Sequence, residues 1–313
     1  MIGNAGLRVC RLNVAVALAV FAYAVSAGAA KAPRAEKANG IVHVQLQDAE
    51  GKSIAYSKAE LGKSKSAVLT VERAYQPGDQ IVFGGVQWMA LRVDNTIPEC
   101  FIFAPRAASE DVSYEIPWGR EEKETGSAYA PESFAGNSHR ITVRGLSKRE
   151  ISGYRNIALN PCDLMRKDGA SILFYPHASS NSVSRSLFDF EARNAIDGRN
   201  LNGHHGVWPY QSWGPQLRTD IWWKLDFGRP VRVNEIRVMV RADFPHDSYW
   251  KNADLEFSDG SHVPLRLSSS PEFQEFSFPA RRVAWMRIAN VVPADPEKWC
   301  ALIEVEAWGE EAH

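Results

Sequence analysis

The stretch IWWKLDFGRPVRVNEIRVMVR (residues 221–241) decides the fold class of this chain. In its second half, apolar and polar residues alternate with a period of two, which is typical of a β-strand with one face on a core. The positions predicted to be buried are Val233, Ile236, Val238 and Val240, and those predicted to face away are Arg237, Met239 and Arg241. The stretch therefore predicts antiparallel β-structure around a core.

Similar strand patterns continue on the carboxyl side of this stretch. The candidates are ADLEFSDGS (253–261), VPLRL (263–267), EFSFP (275–279), AWMRIAN (284–290) and ALIEVEAWG (301–309). Turn residues separate them, and the SDGS segment is typical of a hairpin turn. Strands at this spacing predict one β-sandwich over residues 172–310, which is enough chain for a sizeable core.

The amino-terminal half carries the same kind of pattern. Its strand candidates are IVHVQL (41–46), SAVLTVERAY (66–75), IVFGG (81–85), MALRVD (89–94), CFIFAP (100–105) and SYEIPWG (113–119). One helical segment is predicted at 147–154, where Ser147 can cap with Glu150 three residues on. We predict an all-β chain of two β-sandwich (jelly-roll) domains, at 41–165 and 172–310, after a disordered lead-in at 30–40.

The composition of the 313 residues argues against several classes of protein. Lys and Arg number 36 against 37 Asp and Glu, so no basic excess is present to neutralise nucleic-acid phosphates. The chain is 45% hydrophobic with only 22 Gly and 17 Pro, which is typical of folded protein and not of a disordered scaffold. We therefore expect neither a nucleic-acid partner nor a multispan membrane protein.

The amino terminus has the three-part layout of a secretory signal peptide. Two arginines precede an apolar run at 14–25, and Ala27 and Ala29 have the A-x-A spacing that signal peptidase accepts. A membrane span needs about 20 apolar residues, so the run at 14–25 is short for one. An uncleaved signal anchor is the alternative interpretation. Removal of residues 1–29 takes away two arginines and no acids, which changes the net charge from −1 to −3. We expect a periplasmic or secreted protein with cleavage near Ala29 and no membrane span thereafter.

Three cysteines follow the predicted signal peptide. An oxidising compartment permits one disulfide, and Cys100 and Cys162 are the predicted pair because they lie in the same half of the chain. The alternative is that these two and Cys300 are all buried as small apolar residues. Their spacing matches no metal site.

Several blocks of the second half together resemble the galactose-binding-like superfamily, and above all the discoidin or coagulation factor type C domain and its carbohydrate-binding-module relatives. The blocks are ARNAIDG (192–198), IWWKLDFG (221–228), VNEIRVMVR (233–241), DLEFSDGS (254–261), AWMRIAN (284–290) and LIEVEAWG (302–309). The resemblance covers roughly residues 172–310 and implies a jelly-roll sandwich with ligands in loops at one end. The chain departs from the family in a long aromatic- and His-rich insert at 202–220.

The resemblance also implies a structural calcium ion. Carried over to this sequence, its carboxylate ligands would be Asp197 and Glu304, helped by backbone carbonyls at 199–201. Oxygen ligands of this kind suit calcium. The alternative is that Asp197 belongs to a simple turn and Glu304 faces solvent. No organic cofactor is expected.

Two loops, 202–218 and 243–252, are the predicted ligand surface. Aromatic faces stack on the apolar faces of sugar rings, while polar side chains bond to the hydroxyls. The predicted stacking residues are Trp208, Tyr210, Trp213 and Trp250, and the predicted polar contacts are His205, Gln211, Arg218, Arg241, Asp243 and His246. The alternative is that the aromatic side chains only pin a long loop to the sandwich. The leading hypothesis is an exported carbohydrate-binding protein.

Other functions stay open on the sequence alone. A glycoside hydrolase or polysaccharide lyase could use His246, Asp247, Asp243 and His205, because imidazole titrates near neutral pH. A protein-interaction or adhesion module also fits the fold. A metal site of His204, His205 and His246 is a further alternative. A site across the domain boundary is also possible, lined from the first half by Glu115, Trp118, Glu121, Tyr129, His139 and Arg144. The sequence indicates neither the sugar, the linkage nor the oligomeric state.

Overall fold

The computed structural model describes residues 40–61, 66–117, 128–164, 172–186 and 188–312. The predicted signal peptide, the lead-in before residue 40 and the predicted domain boundary near residue 165 lie outside these residues. Within them no helix has the length and apolar character that crossing a membrane requires. Strands dominate the described chain, which confirms the all-β prediction.

Two antiparallel sheets, each four-stranded in the described residues, share one core in the amino-terminal half. The first has the order β2-β1-β4-β7 and the second the order β3-β8-β5-β6. The strands are β1 (Ile41–Gln47), β2 (Ser53–Glu60), β3 (Ala67–Val71), β4 (Gln80–Gly84), β5 (Trp88–Arg92), β6 (Cys100–Phe103), β7 (Val112–Glu115) and β8 (His139–Gly145).

The sequence analysis missed β2, an edge strand with no fully buried side chain. Without a buried face, such a strand lacks the apolar alternation on which the prediction depended. The short helix α1 (Lys148–Ser152) begins as predicted. The Ser147 hydroxyl accepts from the Glu150 backbone N–H, and the Glu150 carboxylate accepts from the Ser147 backbone N–H, which is a capping box.

In the part of the second half that the structure describes, a seven-stranded antiparallel sheet surrounds another core. Its order is β13-β12-β14-β11-β15-β9, with β10 also paired to β11. The strands are β9 (Arg155–Asn156), β10 (His177–Ser180), β11 (Trp223–Val240), β12 (Trp250–Phe257), β13 (His262–Arg266), β14 (Gln274–Pro293) and β15 (Leu302–Glu311). Short 3₁₀ turns at Ser184–Ser186, Phe188–Phe190 and Ala192–Ile196 precede β11.

The deciding stretch forms a single strand, β11, where the sequence suggested two. Its pairing with β14 shifts register between Asp226 and Val231, and such irregularities let a strand bend around a core. Gly228 in this break has φ +66°, and a Cβ there would lie 2.3 Å from the Tyr175 ring. The four valine and isoleucine positions predicted to be buried are all fully buried. Met239 and Arg241, predicted to face away, are buried as well, because loops cover that face near the strand end.

Contacts between the two halves run through cationic side chains. Arg229 pairs with Glu311 at 2.8 Å and lies over the Trp88 ring at 4.5 Å. Arg193 lies over the Tyr129 ring at 4.7 Å and donates to the Asp163 carbonyl. The two cores are thus joined by buried charge-assisted contacts.

The cysteines at 100, 162 and 300 are buried thiols, as the apolar alternative predicted, and the Cys100–Cys162 disulfide is not formed. Burial raises the pKa of the Cys100 thiol well above its usual range, and a hydrogen bond with Cys162 adds to the shift. Burial also raises the pKa of Cys300 to about 12. The Cys100 and Cys300 thiols therefore stay protonated and unreactive at neutral pH.

Candidate functional site

Two loops bring histidine and aspartate side chains together at one end of the seven-stranded sheet. One loop leads from residue 197 into β11, and the other joins β11 to β12. The His205 Nδ1 of the first loop lies 2.9 Å from the Asp243 Oδ2 of the second. We name His205, Asp243, His246 and Asp247 the histidine–aspartate cluster, because their ligating atoms all lie within 4.8 Å of one another.

A backbone turn and a ring contact hold the cluster. The Asp247 backbone N–H donates to the Asp243 carbonyl at 2.9 Å, so these residues close one turn of chain. His246 Nδ1 lies 3.0 Å from Asp247 Oδ1 and 4.0 Å from Asp243 Oδ2. The His205 and His246 rings stack with centroids 4.7 Å apart. The His246 side chain is 58% exposed, so the cluster opens to solvent on that side.

Arg241 and Asp247 form a buried ion pair below the cluster. The Asp247 carboxylate accepts from Arg241 Nη2 at 2.7 Å and lies 2.6 Å from Nε. Both side chains are almost completely buried. The prediction that Arg241 bonds a ligand is therefore corrected, because its guanidinium is turned to an internal carboxylate. Burial also removes Asp247 from direct contact with a substrate, which corrects its suggested catalytic role.

Trp208 and Tyr210 are half-buried and lie on the surface of the insert. The Arg199 guanidinium lies over the Trp208 ring at 5.3 Å, and His204 contacts Tyr210 with ring centroids 5.3 Å apart. Trp208 also lines a small cavity of about 30 Å³ between the two halves of the chain. Its other walls include Thr96, Tyr129, Ser133, Arg193, Arg199 and Gln211.

Trp213 and Trp250 belong to the core, which corrects their predicted role as stacking residues. Trp213 is 0% and Trp250 2% exposed, and their rings pack against each other with centroids 5.6 Å apart. The Trp213 Nε1–H donates to the Ser182 carbonyl at 3.0 Å, which satisfies the indole inside the protein. These two residues follow the alternative interpretation, in which aromatic side chains pin the insert to the sandwich.

The remaining predicted contact residues differ in exposure. Gln211 is buried, and its side-chain amide donates to Asp197 Oδ2 at 2.9 Å, so it is corrected from a ligand contact to an internal one. Arg218 is exposed and pairs with Asp220 through a hydrogen bond from Nε at 2.5 Å. Arg218 lines a different depression, beside Trp250 and Lys298.

Asp197 and Glu304, the predicted calcium ligands, are both buried and close enough to interact electrostatically. Burial raises the pKa of Asp197, although Arg193 and the bond from Gln211 oppose the shift. Burial and the neighbouring Asp197 raise the pKa of Glu304 well above its usual range. Glu304 does not face solvent: it is buried and accepts the Gly198 backbone N–H.

The candidate residues of the first half do not gather into one site. His139 is buried and stacks on Tyr75 with ring centroids 3.8 Å apart. Arg144 pairs with Glu99 and Glu150 at 2.9 Å each. Tyr129 reaches the cavity beside Trp208, and Glu115 ends β7. Trp118 and Glu121 lie outside the described residues.

Several polar residues of the cavity were not predicted as ligand contacts, among them Thr96, Ser133 and the side chain of Arg199. The Thr96 and Ser133 hydroxyls lie 2.6 Å apart on the amino-terminal half, far in sequence from the insert. No periodic pattern links two such positions, so only the packed structure reveals them. Arg199 was predicted only as a backbone carbonyl near the calcium site, because it directly follows the AIDG block, and no role was predicted for its side chain.

Of three comparisons with known proteins, only the comparison with solved structures found matches. No protein-family model matches the chain, and the search of curated proteins gave no match. One similar solved structure is chitosan-binding module 1 of a chitosanase/glucanase from Paenibacillus sp. IK-5. It is 19% identical in sequence, the match covers 50% of this chain and 99% of that chain, and the TM-score is 0.35. The lectin domain of lectinolysin, solved with Lewis B antigen, has 18% identity, coverage of 50% and 98%, and a TM-score of 0.38.

A third similar structure is a family 32 carbohydrate-binding module from C. perfringens, solved with galactose. It has 12% identity, coverage of 42% of this chain and 91% of that chain, and a TM-score of 0.33. These structures have the galactose-binding-like fold, the superfamily that the sequence blocks resemble. Each likeness covers about half of this chain.

Proposed function

We propose that this chain is an exported carbohydrate-binding protein whose ligand contacts Trp208 and Tyr210 in the insert. The observation that carries the proposal is the half-buried indole of Trp208 on the wall of a polar cavity, with Arg199 over its ring. This cavity is smaller than a typical ligand pocket, so a sugar ring would pack on the Trp208 indole at its mouth. Export rests on the signal-peptide pattern of residues 1–29.

The side chains around Trp208 suit a sugar ring. An indole face packs on the apolar C–H face of the ring, and a fixed aromatic side chain loses little entropy when it does so. The Thr96 and Ser133 hydroxyls can form hydrogen bonds with sugar hydroxyls, and the guanidinium of Arg199 can donate to them.

The first prediction compares two tryptophans of similar exposure, each with an arginine over its ring. Trp208→Ala is expected to weaken glycan binding at least about tenfold, or about 1.4 kcal/mol, since it removes the stacking face. Trp308→Ala is the matched control: that indole is also half-buried beneath an arginine, Arg237, at 4.8 Å, but it lies on β15, outside the predicted ligand loops. Isothermal titration against galactose, chitosan oligosaccharides and uronate-containing polymers would measure both.

Equal losses in the two variants would contradict the assignment of the site to Trp208. The same samples should be checked for new reducing ends and unsaturated sugars. Product formation by the wild type would favour the glycoside hydrolase or lyase alternative, with His205, Asp243 and His246 as candidate catalytic groups. Capture of a protein partner that glycans do not displace would favour the adhesion alternative.

We also propose that calcium binds between Asp197 and Glu304. The donors fit: two buried carboxylates lie together, and the Gln211 Oε1 beside them is buried without a hydrogen-bond partner. Calcium prefers oxygen ligands of these types, and a divalent ion would offset the repulsion between the two carboxylates. Bound there, the ion would fix the start of the insert against β15.

The second prediction concerns pH. Both carboxyl pKa values are raised on folding, so the protonated groups favour the folded state at low pH. With chelator present, this contribution to the free energy of unfolding should be lost as pH rises above about 4.5 and through the raised values, at roughly 1.4 kcal/mol per unit of pKa shift. Added Ca²⁺ should reverse the loss. Urea unfolding at several pH values would measure it.

Glu304→Gln is the control variant for this prediction. It removes one charge at nearly constant volume. The loss of unfolding free energy between low and neutral pH, measured with chelator, should therefore be smaller, and Ca²⁺ should no longer raise the free energy of unfolding. A wild-type stability that does not respond to Ca²⁺ at any pH would rule out the calcium site.

A further inference from the structure

We propose that His205, His246 and Asp243 bind a divalent transition-metal ion of the Zn²⁺ type, at a site separate from the Asp197–Glu304 pair. The three ligands come from two loops that flank the solvent-facing end of β11. This inference does not depend on carbohydrate binding, and each can fail without the other.

Distances within the histidine–aspartate cluster suit one small ion. Zinc lies about 2.0–2.2 Å from nitrogen and oxygen ligands, so two ligands in a tetrahedral arrangement are about 3.3–3.5 Å apart. Asp243 Oδ2 lies 2.9 Å from His205 Nδ1 and 4.0 Å from His246 Nδ1. The His205 and His246 rings are stacked, so the His246 ring, which is 58% exposed, would turn to bring its nitrogen to an ion held by the other two ligands.

The donor chemistry selects the class of metal. Two imidazole nitrogens and one carboxylate oxygen suit zinc, and also copper and nickel, whereas calcium and magnesium take oxygen ligands. Within the described residues Asp243 pairs with histidines only, and it has neither lysine nor arginine as an ion-pair partner. Its charge is thus free to balance a cation.

Asp247 has a different role in this arrangement. Its carboxylate is held by Arg241 and contacts His246 Nδ1 at 3.0 Å, while its backbone N–H holds the Asp243 carbonyl. The backbone contact holds Asp243 in place, in the way that outer partners orient the ligands of a metal site, whereas the His246 nitrogen would exchange its contact with Asp247 for the ion. With three protein ligands, the fourth position would face solvent beside the exposed His246, as in zinc sites that keep an open position.

The third prediction is the test of this site. Full-length protein without an affinity tag, kept in excess Ca²⁺, would be titrated with ZnCl₂ by calorimetry, and with Co²⁺ followed by its visible absorption. We expect one Zn²⁺ per chain and a Co²⁺ spectrum typical of low coordination number. His205→Ala and His246→Ala should each weaken Zn²⁺ binding by more than the roughly 10- to 100-fold that loss of an outer partner costs.

His204→Ala is the matched control, because this neighbouring imidazole is 66% exposed and lies 3.9 Å from Asp243 Oδ2 without belonging to the ligand set. It should keep wild-type Zn²⁺ affinity, and all variants should keep the wild-type circular dichroism spectrum. The proposal is overturned if the wild type binds no Zn²⁺, or if His204→Ala loses binding while His205→Ala and His246→Ala retain it.

Discussion

Asp247→Ala is expected to lower the free energy of unfolding by about 3–5 kcal/mol, because it leaves the buried Arg241 guanidinium without its counter-charge. The pair is almost fully shielded from water, with 2.6 Å between Arg241 Nε and Asp247 Oδ2. Water cannot replace the lost carboxylate there, so the arginine keeps its full desolvation cost. The variant should also melt at a lower temperature at every glycan concentration.

Asp243→Ala serves as the control for this change. It removes a carboxylate four residues earlier in the same loop, but one that is 26% exposed, so its effect should stay within about 1 kcal/mol. Replacing both members of the buried pair, as Arg241→Met with Asp247→Leu, should recover most of the loss. Chemical denaturation of the four proteins measures all these differences. A stable Asp247→Ala protein would mean that the pair is not buried in solution.

Trp213→Ala alone is expected to lower the free energy of unfolding by about 3–5 kcal/mol, the usual range for deletion of a buried aromatic side chain. The indole is completely buried, packs on Trp250 and donates to the Ser182 carbonyl. Alanine would leave a cavity between the insert and the sheet and a carbonyl without its donor.

Trp208→Ala, five residues earlier in the insert, is the comparison for Trp213→Ala. Its indole is only half-buried, so we expect the larger loss of binding there and the larger loss of stability at Trp213. Thermal and urea unfolding, run beside the glycan titrations, separate the two effects. If Trp213→Ala weakened binding without lowering stability, Trp213 would instead be a ligand contact.

These two predictions bear on how variants of the loops are interpreted. Arg241, Asp247, Trp213 and Trp250 have the residue types expected of a sugar site or a catalytic site, yet each is internal. A loss of activity in a variant of any of them would reflect a damaged fold. Activity measurements therefore need a stability measurement on the same protein before a role in binding or catalysis is assigned.

The β-class of both halves was predictable because strand alternation is a local property. Along β11 the apolar positions at 233, 236, 238 and 240 face the core as predicted, and the Ser147–Glu150 capping box also forms where its spacing indicates. The edge strand β2 was not predictable in this way. Its side chains lie in intermediate or exposed positions, so nothing in its pattern distinguishes it from a loop.

In the candidate site, too, some features were predictable from local sequence and others were not. From the sequence alone it follows that aromatic, histidine and aspartate residues concentrate in two loops, since composition along the chain is directly visible. Only the tertiary structure decided which of them face solvent. Trp213 is buried because Trp250, from the following loop and strand, covers it, and Arg241 is buried because Asp247 folds back over the end of β11. Burial depends on which distant segments pack together, and residue type and spacing do not encode that choice locally.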